Sequence, residues 1–122
     1  MQLPDHGRFA YSPITARPDW SWPEGRRLAF YIGLNIEHFA FGEGLGAELA
    51  PGGGPPDVLN WSWREYGNRV GVWRLLELFD ELRLPCSVLV NSTIYDHAPQ
   101  IPAAFRARGD EIVGHGRSNS ER

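Results

Sequence analysis

Two short stretches carry the residues best suited to chemistry. Leu28 to Ile36 is a long apolar run that ends in Glu37-His38. Ile112-Val113-Gly114 is a shorter one that delivers His115 and then the polar run Gly116-Arg117-Ser118-Asn119-Ser120-Glu121. A carboxylate beside an imidazole can take a proton from water and pass one to a leaving group. In α/β sheets ligands bind just past the carboxyl ends of the strands. Both runs read as strands that end in a carboxylate or a histidine, which suggests one site built from two tips. The plainer alternative is two ordinary strand ends with solvated polar residues.

The intervening sequence must bring these tips together. Val70 to Arg83 repeats apolar residues at helical spacing through Val72, Leu75, Leu76, Phe79 and Leu82, and Pro85 forbids its continuation. Cys86 to Val90 reads as a strand ending at Asn91-Ser92-Thr93, and Glu111 to Gly114 as another. Asp96 is placed to cap a helix from His97 to Arg108, which Gly109 closes. The first strand, Leu28 to Ile36, lacks strict alternation, as expected of a strand buried on both faces. The order is β, long loop, α, β, α, β, which is the pattern of a parallel sheet with crossover helices.

Residues 1–27 contain Pro4, Pro13, Pro18 and Pro23 and read as an extended arm, with Trp20 and Trp22 as buried anchors. Residues 28–122 form the domain proper. The segment from Phe39 to Asn68 reads as a long irregular connection. It holds the tract Pro51-Gly52-Gly53-Gly54-Pro55-Pro56, a surface loop, and an aromatic cluster at Trp61, Trp63 and Tyr66. That cluster, with Arg64 and Arg69, is either a packed lid or a pocket wall whose arginines meet an anionic substrate group.

Composition narrows the classes. The 122 residues suffice for one domain, and 42% hydrophobic with 22% charged residues marks a globular chain. The net charge of -3 and the lack of a basic block argue against nucleic acid. No apolar run is long enough for a membrane span. No secretory signal is visible, so a cytoplasmic location is expected. The single cysteine, Cys86, permits no internal disulfide and reads as a small core residue. All twelve basic residues are arginine, which excludes a Schiff-base or P-loop lysine within these 122 residues.

Taken in order, Asn35-Ile36-Glu37-His38, Arg64-Glu65-Tyr66-Gly67-Asn68-Arg69-Val70-Gly71-Val72-Trp73 and Asp110 to Glu121 resemble the polysaccharide deacetylase (NodB-homology) superfamily. Within it, they are most similar to the branch of metal-independent allantoinases and cyclic-imide hydrolases. The resemblance covers nearly the whole chain. It implies the N-terminal part of a distorted (β/α) barrel, so the chain is expected to be an incomplete piece of a larger domain. The open sheet edge would then be covered by the missing part, or alternatively by a second copy in a homo-oligomer.

The resemblance also implies chemistry. Sugar deacetylases of this family place a base and a metal-binding aspartate after the first strand, where this chain has Glu37 and His38. Their two later metal-binding histidines correspond to His115 and Asn119. An asparagine oxygen serves zinc poorly compared with imidazole. The expectation is therefore no cofactor, with zinc or a related ion on His38 and His115 as the alternative. The implied substrates are small cyclic amides such as allantoin or cyclic imides. A metal-dependent carbohydrate N-deacetylase acting on N-acetylated sugar is the runner-up, and a non-catalytic binding module using Trp61, Trp63 and Tyr66 a third reading. In the leading reading Glu37 is the base and His115 polarises the carbonyl or protonates the leaving nitrogen. Arg69 or Arg117 grips substrate oxygens, Asn119 orients the ring, and Tyr66 and Trp63 complete the substrate contacts.

Overall fold

The computed structural model describes residues 7–42 and 56–119. The Gly/Pro tract from Pro51 to Pro55, and Glu121, lie outside them. The chain divides into two compact units, residues 1–30 and 31–122.

In the first unit two single 3-10 turns, Ile14–Ala16 and Pro23–Gly25, interrupt extended chain. Arg27 reaches back to the Asp19 carboxylate at 3.2 Å and the Trp20 carbonyl at 3.1 Å. Trp20 and Trp22 meet edge to face, 4.9 Å between ring centres. Both remain substantially exposed, so they pack on each other and are not the buried anchors expected.

The second unit holds a three-stranded parallel sheet in the order β1 (Gly33–Ile36), β2 (Ser87–Val90) and β3 (Glu111–Gly114). Helices α1 (Val58–Tyr66), α2 (Val72–Leu82), α3 (Ile94–His97) and α4 (Gln100–Arg108) fill the connections. The expected mixed α/β architecture with parallel strands is present, and the sheet is open among the described residues. On β2 the residues alternate, with Cys86, Val88 and Val90 buried and Ser87 and Leu89 half-buried. The buried set packs with Ile36, Val72, Leu76, Phe79, Ile94, Ile101 and Phe105 into one core. Cys86 is a core residue, as expected. No described helix is long and apolar enough to cross a membrane.

Three elements differ from their expected form. The first strand spans only Gly33–Ile36, and Leu28 and Phe30 are exposed. Its neighbour β2 starts at Ser87, paired with Gly33, so residues 28–31 have no rung to join. Of β1 only Ile36 is buried, not both faces. The first helix starts at Val58 rather than Val70, capped by Asp57, whose carboxylate accepts from the Asn60 amide at 3.1 Å. It continues through a π-helical segment, Gly67–Gly71, directly into α2. So the aromatic cluster expected in an irregular connection is helical. The last crossover starts earlier than expected. Asp96 lies inside α3, and α4 begins after Pro99. A residue before proline is pushed out of the α region, and Ala98, at φ -147°, breaks the two helices apart there.

The bottom of the sheet is tied by Arg108. Its Nε donates to Asp110 at 2.7 Å, its terminal nitrogens donate to the carbonyls of Leu76 and Leu84, and it pairs with Asp80. Asp110 in turn accepts from the Cys86 backbone N–H at 3.0 Å. Arg108 thus neutralises a buried carboxylate and ties the middle of α2, through the Leu76 carbonyl, to the turn after it, through the Leu84 carbonyl.

Candidate active site at the strand ends

The register sets the site. Ile36, Val90 and Gly114 are level with one another, so the next residues, Glu37, Asn91 and His115, stand side by side at the carboxyl edge. Backbone pairing carries one step further, with the N–H of Asn91 on Ile36 and that of His115 on Val90.

Asn91 is fully buried and binds all three tips together. Its Oδ1 accepts from the His38 backbone N–H at 2.9 Å, and its Nδ2 donates to the His115 carbonyl. Ser92 and Thr93 extend the link by donating their backbone N–H groups to the carbonyls of Gly116 and Arg117. The Thr93 hydroxyl donates to the Arg117 carbonyl at 2.8 Å and lies 3.0 Å from His38 Nδ1. A hydroxyl has one proton. With that proton on Arg117, Thr93 accepts from His38, which fixes a proton on His38 Nδ1. The Asn119 N–H donates to the His38 carbonyl, which folds the final polar run back over the first strand tip.

Within this frame Glu37 Oε1 lies 3.2 Å from His115 Nε2, across 78 positions of sequence. Asn35, two residues back on the same face of β1, directs its amide to the same oxygen at 3.5 Å. Asn68 donates to the Glu37 carbonyl at 2.8 Å, fixing the β1 tip against the helix. Both Glu37 and His115 side chains are about one-third exposed or less, so substrate and water can reach them while bulk solvent is limited. A cleft of about 310 Å³ runs from Glu37 between β1 and the long helix, past Leu34, Arg64, Asn68 and Leu75. Arg64 stacks over the Phe39 ring at 3.8 Å. Burial there pulls its guanidinium below the ordinary value, and the negative charge of Glu37 pushes it back up.

Comparison with family models, with curated proteins and with solved structures finds no match. The site has to be read from its own geometry.

That geometry unites some of the expected residues and separates others. Glu37 and His115 meet, and Asn119 and Arg117 join them through main-chain hydrogen bonds at the same edge. Tyr66 and Trp63 stand half-exposed on α1, where Tyr66 accepts from Arg74 at 3.0 Å. Neither lines the cleft beside Glu37, and nor does Arg69. Arg69 donates instead to Glu65 at 2.9 Å in a neighbouring cleft. Trp61 is an anchor, donating its indole N–H to the Phe39 carbonyl at 3.0 Å.

Two participants escape a reading of the sequence alone. Asn91 is one, and its signal is a polar residue one step past an alternating apolar strand. The pair Glu65 and His97 is the other. Glu65 is only 4% exposed, His97 Nε2 lies 3.1 Å from its carboxylate, and the His97 ring stacks on His38 at 4.5 Å. His97 is exposed, as expected, while its ring nitrogen reaches the buried Glu65 carboxylate.

The metal implied by the sugar deacetylases can be tested against the donors. His38 Nδ1 is engaged with Thr93 and His115 Nε2 with Glu37. Among the described residues no group of three or more His, Cys, Asp or Glu is arranged to hold an ion. No step below runs through a metal.

Proposed function

We propose that this chain carries the strand-end site of a hydrolase acting on carbon–nitrogen bonds other than peptide bonds, with ring amides such as allantoin, hydantoins or cyclic imides as substrates. The single observation that supports it most is the Glu37–His115 contact at the carboxyl edge of a parallel sheet. The sheet and its helices would form one part of a (β/α) barrel of the deacetylase type.

Glu37 accepts a proton from a water molecule as the water oxygen bonds to the ring carbonyl carbon. His115 donates its Nε2 proton to the ring nitrogen as the carbon–nitrogen bond breaks. The proton on Glu37 then returns to His115 across their hydrogen bond, so the sum is ring amide plus water giving an open acid. Base catalysis of this kind contributes ~10²–10⁴-fold, roughly 3–6 kcal/mol at ~1.4 kcal/mol per tenfold. That is too little for an unactivated acetamide. It suits an imide or hydantoin, whose carbonyl is more electrophilic and whose leaving nitrogen delocalises its charge.

The test is hydrolysis of hydantoin, allantoin and succinimide by the wild-type chain and by Glu37→Gln. The expected result is ring opening by the wild type and loss of at least ~10²-fold in kcat for the variant, with an unchanged circular dichroism spectrum. Equal turnover by both would remove Glu37 from the base role.

A further inference from the structure

Beside the cleft at Glu37 lies a second one of about 340 Å³, lined by Glu65, Asn68, Arg69, Trp73, His97 and Gln100 among others. The two clefts share Asn68, whose amide holds the Glu37 carbonyl. Glu65 forms the inner wall of the second cleft, and its side chain is 5% exposed. Both of its oxygens are engaged, by Arg69 Nε and by His97 Nε2. This pinning leaves Arg69 in an unusual state. Its inner nitrogen neutralises a buried carboxylate while the side chain as a whole stays 66% exposed. The terminal amino groups form the outer edge of a planar, orientated fork, the geometry that recognises carboxylates two hydrogen bonds at a time. Trp73 supplies a partly exposed flat face and Gln100 an exposed amide in the same cleft.

We infer that this second cleft is a subsite for a carboxylate arm of the substrate, held by Arg69, while the ring itself lies against Glu37. The inference rests on the hydrolase reading for the ring and adds a substrate class: acid-bearing ring amides over neutral ones. Glu65 would then be a positioning residue that aims Arg69, and Asn68 the divider between ring and arm.

The experiment compares hydantoin with hydantoin-5-acetic acid, using the wild type, Arg69→Gln and Arg69→Lys. Arg69→Lys keeps a cation near Glu65, so a folding defect is separated from loss of the fork. The wild type should favour the acid-bearing ring in kcat/KM. Both variants should lower that preference by about tenfold, the worth of one charged contact, mainly through KM. No preference in the wild type, or a preference that survives in both variants, overturns the subsite and leaves the hydrolase reading standing. If neither compound is turned over, the hydrolase reading falls, and the subsite is judged by titrating each compound into 15N-labelled chain. Shifts at the Trp73 indole and Gln100 amide with the acid-bearing ring only, lost in Arg69→Gln, support it, and their absence overturns it.

Discussion

Replacing Asn91 by alanine should loosen all three strand tips at once. The side chain makes two hydrogen bonds, to the His38 N–H and the His115 carbonyl, from a fully buried position. Each contributes about 0.5–1.5 kcal/mol net, and each partner left without a bond adds a desolvation cost of about 1–3 kcal/mol if water cannot reach it. The two backbone partners belong to half-buried residues, so part of that cost is relieved by water. The sum is about 2–4 kcal/mol, a large share of the 5–15 kcal/mol typical of a domain. At a urea slope of about 1.5–2 kcal/mol per M, the unfolding midpoint falls by about 1–2.5 M with an unchanged slope. Asn91→Asp sharpens the test. It keeps the acceptor for His38 but sets a carboxylate against the His115 carbonyl. A buried, unpaired carboxyl has a folded-state pKa above the unfolded value near 3.9. Its stability relative to the alanine variant is then greatest below pH ~3.9 and declines as pH rises through the folded value. Urea midpoints of the three proteins at pH 4 and pH 7 decide the matter. A midpoint loss under ~0.3 M for Asn91→Ala, or an aspartate variant as stable as wild type at pH 7, would refute the bridging role.

Arg108→Ala should cost about 3–5 kcal/mol, because it strands the buried Asp110 carboxylate, and Arg108→Lys should recover little of this without the fork; calorimetry of both variants checks the prediction. Gly67→Ala should raise stability by about 0.5–1 kcal/mol in urea titration, since Gly67 has right-handed helical angles and an added Cβ meets nothing within 4 Å. The side-chain and backbone hydrogen bonds from Asn60 hold the Asp57 carboxyl below the ordinary value. The cap is therefore fully effective above the unfolded value near 3.9 and is lost as pH falls through the lower folded value. Asp57→Asn should remove that acid-limb dependence from a pH series of thermal melts.

Much of this architecture was legible, and the places where it was not have physical causes. Strands β2 and β3 announce themselves because one face of each meets the apolar core, and Gly109 marks the end of α4 with its φ of 83°. The Glu37–His115 pairing follows from two apolar runs that both end in polar residues. The start of the first helix was hidden because its buried residues are Asn60 and Glu65, so the inward face carries no apolar period. The glycines and prolines earlier in the Phe39 to Asn68 segment favour an irregular reading of the whole connection. His97 is a surface residue as expected, but its pairing with Glu65, 32 residues away, has no local signature in the sequence. Nor does the sequence advertise that Arg69 is drawn away from Glu37, since that depends on where Glu65 lies around the helix.

The π segment has a consequence for phase. An α-helix returns to the same face after about seven residues, two turns of 3.6. In an unbroken helix Glu65 would stand seven positions before Val72, in line with the apolar stripe of Val72, Leu76 and Phe79. A single extra residue taken up in a wider turn rotates everything before it by about 100°. Gly67–Gly71 is such a turn. It swings Glu65 off the line of the core and round to His97, so one helix serves two environments, aliphatic along its second half and ionic along its first.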